Sequence, residues 1–326
     1  MGNEIQSTVA VRTNDRVYWV DWIKVFAMTL VVYAHTDSFS VINRAIFTFH
    51  MPLFFMISGY LHKTRTFREE LPIVFKSLVI PYIILLFGLC ILHLDTNYRD
   101  YLNILIGSLE GAPLYVRPMW FVVCLALIRI ILSFFRTNSQ LICLAIISLL
   151  GYYALVRLQM IPQDFDFLQI NTTLMCLPFF ILGIFLKKHF EVVLKYKWVI
   201  YALAIPCLLL AIKNGYINVF RCEGGTYILL FYINAVMISL FWILLFSQFL
   251  NKRNLHIEKL AKGMIILLAT HFTMIDLFAL VLPLTIPMTF VIAVLVMIIG
   301  YFLSVFSYVH FPILFGKYDF RRKLGK

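Results

Sequence analysis

Charge is what this chain lacks most. Of its 326 residues only 13% are Asp, Glu, Lys or Arg, against 62% hydrophobic. A soluble domain carries roughly 25% charged residues, so about half of an ordinary solvated surface is missing. That deficit excludes a soluble globular enzyme, a disordered protein and a secreted disulfide scaffold. Metal and redox spacings are missing too: the six cysteines include no Cys-x-x-Cys and no Cys/His ligand pattern. Neither a metal nor a permanently bound cofactor is expected. There is no Gly-x-Ser-x-Gly elbow, phosphate-binding loop, His-Glu-x-x-His helix or EF-hand loop. No short apolar leader with a small-residue cleavage site opens the chain, so no removable signal peptide is expected.

What is present is hydrophobic length. Mean hydropathy is +0.90, and a helical crossing of the hydrocarbon core takes about 20 residues. Ten runs qualify: 18–36, 45–61, 77–94, 118–135, 140–156, 167–186, 197–212, 226–250, 263–282 and 287–309. They are continuous, not alternating, which excludes a β-barrel. The expected fold is all-α, a polytopic integral membrane protein of about ten transmembrane helices. It forms one membrane-embedded domain over 1–326, with tails at 1–17 and 311–326.

With ten spans both termini share a face. That face carries 20 Lys and Arg, the opposite one six. Basic residues accumulate on the cytoplasmic side, so both termini are expected there. The net charge of +12 therefore reports topology and contact with membrane lipids, with no nucleic acid implied.

Ionisable groups inside such spans are the informative ones, because each costs ~2.5–3.5 kcal/mol at mid-bilayer. The first span holds Asp21, Lys24 and His35, with Asp37 just beyond. Lys24 and His35 lie three helical turns apart on nearly one face, ~16 Å along the axis. His50 opens the second span at the depth of His35. Two imidazoles at one depth, with Asp37 beside them, suit a general-base site, since His is neutral and proton-accepting near pH 7. A snorkelling lysine and interfacial histidines are the plainer alternative. The loop after span two carries Lys63, Arg65, Arg68 and Lys76. Arg65 and Arg68, three apart, suit phosphate oxygens, or simply the membrane surface. Arg117 and Trp120, with Glu110, stand at an outer mouth fit for a sugar-like ligand, or in Trp120's case for an interfacial anchor. His271 and Asp276 match a His-x4-Asp pattern, yet on a straight helix they point ~140° apart. That match reads as accidental, and leaves His271 as buried polarity needing a partner.

The segments from Trp19 through His35, and Phe49-His50-Met51-Pro52-Leu53-Phe54-Phe55 through Ser58-Gly59-Tyr60, resemble the opening of the acyltransferase family 3 membrane O-acyltransferases. Lys24 and His35 match that family's basic residue and histidine in the first helix. Pro81-Tyr82, Pro118-Met119-Trp120-Phe121, Leu177-Pro178-Phe179-Phe180 through Gly183, and Gly263 through His271 follow in the family's order, so the resemblance spans essentially the whole chain. It implies transfer of an acyl group, usually acetyl, from acyl-CoA as co-substrate. The acceptor would be a hydroxyl on a cell-surface polysaccharide or its lipid-linked precursor, and the setting a bacterial cytoplasmic membrane. Under that resemblance His35 is the catalytic base or nucleophile, with Asp37 or His50 orienting it. Lys24, Arg65, Arg68 and Lys76 are the candidates for the CoA phosphates, and Arg117 and Trp120 for the sugar. The family's paired arginines usually lie close to the next proline. Here Arg65 and Arg68 stand well upstream of Pro81, and Lys76 is nearer. A transporter or flippase for a lipid-linked sugar or small anion is the alternative, given charged and proline-broken helices.

Overall fold

A backbone in lipid must satisfy its own N–H and C=O groups, and a continuous apolar run does so as a helix. The computed structural model describes residues 16–36, 41–109, 111–158 and 166–317, and each of the ten apolar runs is largely helical. In chain order the helices are α1 (Tyr18–Thr36), α2 (Val41–Tyr60), α3 (Phe67–Val74), α4 (Ile80–Leu92), α5 (Tyr98–Leu105), α6 (Trp120–Leu132) and α7 (Asn138–Tyr152). There follow α8 (Ile170–Lys188), α9 (Phe190–Lys195), α10 (Lys197–Lys213), α11 (Ile228–Phe249), α12 (Leu255–Lys262), α13 (Met264–Ala279) and α14 (Ile286–His310). The only strands among the described residues are β1 (Ile217–Asn218) and β2 (Glu223–Gly224), an antiparallel pair in the loop before α11.

Among the described residues six helices are long and apolar enough to cross a membrane, or seven if α12 and α13, bent by 76° at Gly263, count as one span. The rest of the ten expected segments fall short for visible reasons. Helix α6 has 13 residues, ~20 Å of axis against a core of ~30 Å. Helix α10 has 17 residues, and α1 is made less apolar by Asp21, Lys24 and His35.

Two features of the sequence shape the bundle locally. Helices α3 and α4 join through a π-helical turn at Phe75–Val79, in which the Ile80 N–H reaches back to the Phe75 carbonyl. Pro81 follows at once, and a wide turn is where a helix absorbs a residue with no N–H. At the centre, α2 crosses α8 at glycine. A Cβ on Gly59 would overlap the Phe180 carbonyl, and one on Gly183 the Met56 carbonyl. Without a hydrophobic driving force in lipid, helices associate through such close backbone approach. Leu53, Phe55, Met56, Ile57, Phe179 and Phe180 pack around the crossing, each at most 1% exposed.

One buried carboxylate is clamped by two arginines. Glu70 of α3 is 1% exposed and meets Arg129 of α6 at 2.6 Å and Arg65 at 3.1 Å. His62 lies beside this clamp, and burial above all pushes its imidazole down to about 4. Removing one member of a buried ion pair strands the rest, at about 3–5 kcal/mol when fully dry. Arg65 and Arg129 retain 30% and 19% side-chain exposure, so Glu70→Ala is expected to lose less, about 2 kcal/mol. Denaturant titration in detergent checks this, and an unchanged midpoint contradicts it.

Candidate active site

The end of α1 opposite Lys24 opens on a cavity of about 560 Å³. Its wall is assembled from five stretches of chain: Ala34 and His35 of α1, Phe47 and His50 of α2, Arg117 and Trp120, the segment 216–223, and Phe272 and Asp276 of α13. Four of the expected site residues, His35, His50, Arg117 and Trp120, therefore share one space.

His35 is half-buried. Its Nδ1 lies 3.1 Å from Nε2 of His271, and its ring rests 4.6 Å from that of Phe272. His50 is 3% exposed and donates from Nδ1 to the Ile46 carbonyl at 2.8 Å. The Phe47 ring contacts both, at 5.9 Å from His35 and 5.2 Å from His50. The partner that touches His35 is thus His271, fully buried and 236 positions away. Asp37, the other expected orienting group, and Glu110 lie outside the described residues. Asp276 stands exposed on the cavity wall, apart from the buried His271, as the straight-helix argument requires.

Helix α13 brings His271 into place through Gly263. The bend there presses the chain onto α14, where Ser304 donates to the Gly263 carbonyl at 3.1 Å and any Cβ on Gly263 would overlap Ser304. The same helix is bolted to the loop that carries Arg117. His93 bonds Thr273 at 3.0 Å and stacks flat on Tyr115 at 3.9 Å. Tyr115 in turn donates to Asp95 at 2.8 Å, and burial followed by that bond holds its phenol well above the ordinary range. Arg117 donates from Nε to the Ala112 carbonyl at 2.7 Å. Trp120 is 7% exposed, its ring against Phe55 and Phe220.

The wall formed by 216–223 comes from a loop that holds none of the site residues expected from the sequence. Asn214, 1% exposed, bonds Gly224 and Tyr227 through its amide, and Gly215, Cys222 and Gly225 adopt positive φ. This folds 214–226 into a short hairpin that sets Tyr216, Arg221 and Glu223 on the cavity. The signal available was Asn-Gly at 214–215 and Gly-Gly at 224–225, turn chemistry in a loop between apolar runs. His271 carried a signal as well, since a histidine in a membrane span rarely lacks a function.

The basic candidates lie elsewhere. Lys24 is half-buried on α1 and is not among the residues lining the cavity, which reaches down that helix to Val31. Arg65 is held by Glu70, while Arg68 and Lys76 are exposed. Among the described residues no group of three or more His, Cys, Asp or Glu is placed to hold a metal ion. The chemistry on hand is that of imidazole: a proton acceptor at the floor of a cavity whose rim bears arginines, carboxylates and aromatic rings.

Comparison with curated proteins and with solved structures gives no match. A family model described as an acyltransferase domain matches residues 17–309. With nearly the whole chain covered, and the first-helix histidine at the floor of its cavity, the chain belongs to acyltransferase family 3.

Proposed function

We propose that this membrane acyltransferase moves an acyl group, acetyl in the first instance, from acyl-CoA to a hydroxyl of a cell-surface polysaccharide or its lipid-linked precursor. The observation that carries the proposal is the convergence of His35, His50, Arg117 and Trp120 on one cavity. In this reading the chain sits in the cytoplasmic membrane of a bacterium with ten crossings and both termini inside.

The donor enters from the cytoplasmic end, its phosphates met by Lys24, Arg68 and Lys76, with Arg65 contributing what its bond to Glu70 leaves. The pantetheine arm follows α1 over the ~16 Å between Lys24 and His35 and delivers the thioester to the cavity. The acceptor approaches from the other side, its sugar ring against Trp120 and its hydroxyls toward Arg117. His35 takes the proton of the hydroxyl as general base, and the oxygen attacks the thioester carbonyl. The C–O bond forms, the C–S bond breaks, and the departing thiolate takes the proton back from His35. His50 lies beside the reacting groups as a second imidazole, and Asp37 remains the other candidate to orient His35.

The test is donor turnover. Full-length protein in liposomes, given radiolabelled acetyl-CoA and a bacterial membrane glycolipid extract, is expected to place label in the glycolipid. Glycolipid that binds but never takes label overturns the proposal and points to transport of the lipid-linked sugar instead.

A further inference from the structure

The hydrogen bonds around His271 settle where the protons sit, and with them the role of a residue that lies behind the cavity wall. Nδ1 of His271 is 2.9 Å from the Leu268 carbonyl and 3.2 Å from the Leu267 carbonyl. A carbonyl oxygen only accepts, so this nitrogen carries hydrogen. In a neutral imidazole the opposite nitrogen, Nε2, is then a bare lone pair. Nδ1 of His35 faces it at 3.1 Å. Two lone pairs at that distance repel, so the His35 nitrogen is the donor. Its own Nε2, the remaining nitrogen of a ring that lines the cavity, is left unprotonated. Two backbone carbonyls on α13 thus specify, through two rings, a proton acceptor on α1.

We propose that His271 is a positioning residue for the transfer reaction: it holds His35 in the tautomer whose Nε2 is the base, and shares the Nδ1 proton while His35 is charged. This rests on the acyltransferase reading above. When Nε2 of His35 takes the acceptor proton, the ring becomes cationic, and its Nδ1 hydrogen shifts toward Nε2 of His271. When the thiolate of the donor leaves, it takes the Nε2 proton and the Nδ1 hydrogen returns. Among the described residues His50 has no such partner. Its Nδ1 is taken by the Ile46 carbonyl of its own helix, which fixes its tautomer without a second ring to share charge. Among the described residues the titratable and charged groups around His35 are His271 of α13, in contact with it, and those lining the same cavity: His50 of α2, Arg117, Tyr216, Arg221, Glu223 and Asp276.

Two variants of the full-length protein test this, with acetyl-CoA as donor and turnover read as release of the CoA thiol in the presence of glycolipid extract. His271→Phe keeps a ring of similar size but offers no acceptor. It is expected to lower kcat about 100-fold, to leave the KM for acetyl-CoA unchanged, and to move the acid limb of kcat/KM to lower pH, since a His35 cation without its acceptor is less stable. His271→Gln places an amide oxygen near the position of Nε2. It is expected to recover activity to within about tenfold of the parent and to restore the limb, because a single acceptor bond is what it replaces. Histidine nitrogen chemical shifts of the membrane-embedded parent should show His35 protonated at Nδ1. A folded His271→Phe protein with parental kcat and pH limb overturns the proposal. So does a folded His271→Gln protein as inactive as His271→Phe, since His271 would then serve packing alone. A parent protein that transfers nothing fails the underlying acyltransferase reading, whereas His271→Phe equal to an active parent fails this inference only.

Discussion

His35→Ala is expected to yield a folded, inserted protein that transfers acyl groups at least about 100-fold more slowly, and up to about 10⁴-fold, the range general-base catalysis supplies. The two halves of that statement rest on different observations. Stability changes little because His35 is half-buried at the edge of a cavity and among the described residues makes one side-chain bond, to His271, a contribution of about 1 kcal/mol. Activity collapses because, among the described residues, no other group stands in its place. His50 lines the same cavity from a different helix, with Nδ1 fixed to its own backbone, and would have to attack from another direction. Thermal unfolding in detergent beside labelled-acetyl transfer separates the halves. Transfer at the parental rate would remove His35 from the reaction, and an unfolded variant would show that its bond to His271 holds the bundle together.

The largest effect on the fold is expected at the α2–α8 crossing. Gly183→Val should lose about 3 kcal/mol or more, the upper end of overpacking penalties, and leave little folded protein. The reason is the nature of the neighbour. A Cβ on Gly183 meets the Met56 carbonyl and approaches the Tyr60 backbone nitrogen, and one on Gly59 meets the Phe180 carbonyl. Side chains can swing aside, but backbone atoms of a helix cannot move without the helix. The two helices would have to part, opening contacts among Phe55, Met56, Phe179 and Phe180, all within 1% of complete burial. Gly88→Ala is the control, because nothing lies within 4 Å of its added carbon and Ala in a helix gains about 0.5–1 kcal/mol over Gly. Size-exclusion of detergent-solubilised protein reads both. A monodisperse Gly183→Val peak of parental size and yield would contradict the close crossing.

Helix positions were legible in the sequence because lipid leaves the backbone one economical choice. The run 18–36 coincides with the observed α1, and the 287–309 run is α14 to within a residue at each end. The resemblance in the first two helices likewise led to the right family, and hydropathy supplied the all-α class. Less legible was the worth of single polar residues. His271 reads in the sequence as buried polarity needing a partner, its spacing to Asp276 accidental; only packing supplies that partner, His35. The spacing of Arg65 to Arg68 suits phosphate or the membrane surface alike, and says nothing of Glu70, which packing sets against Arg65 and against Arg129 of α6.

Local chemistry thus determined what could be read along the chain: apolar length makes helices, and the charged and polar residues inside those runs mark where function sits. Which side chains meet was decided by the crossing of helices far apart in sequence. Glycines at 59, 183 and 263 let the chain approach closely enough to set α2 against α8 and the start of α13 against α14. A histidine pair separated by 236 positions leaves no periodic trace in one sequence, because its distance is set by the shapes of the helices between them and not by any spacing along the chain.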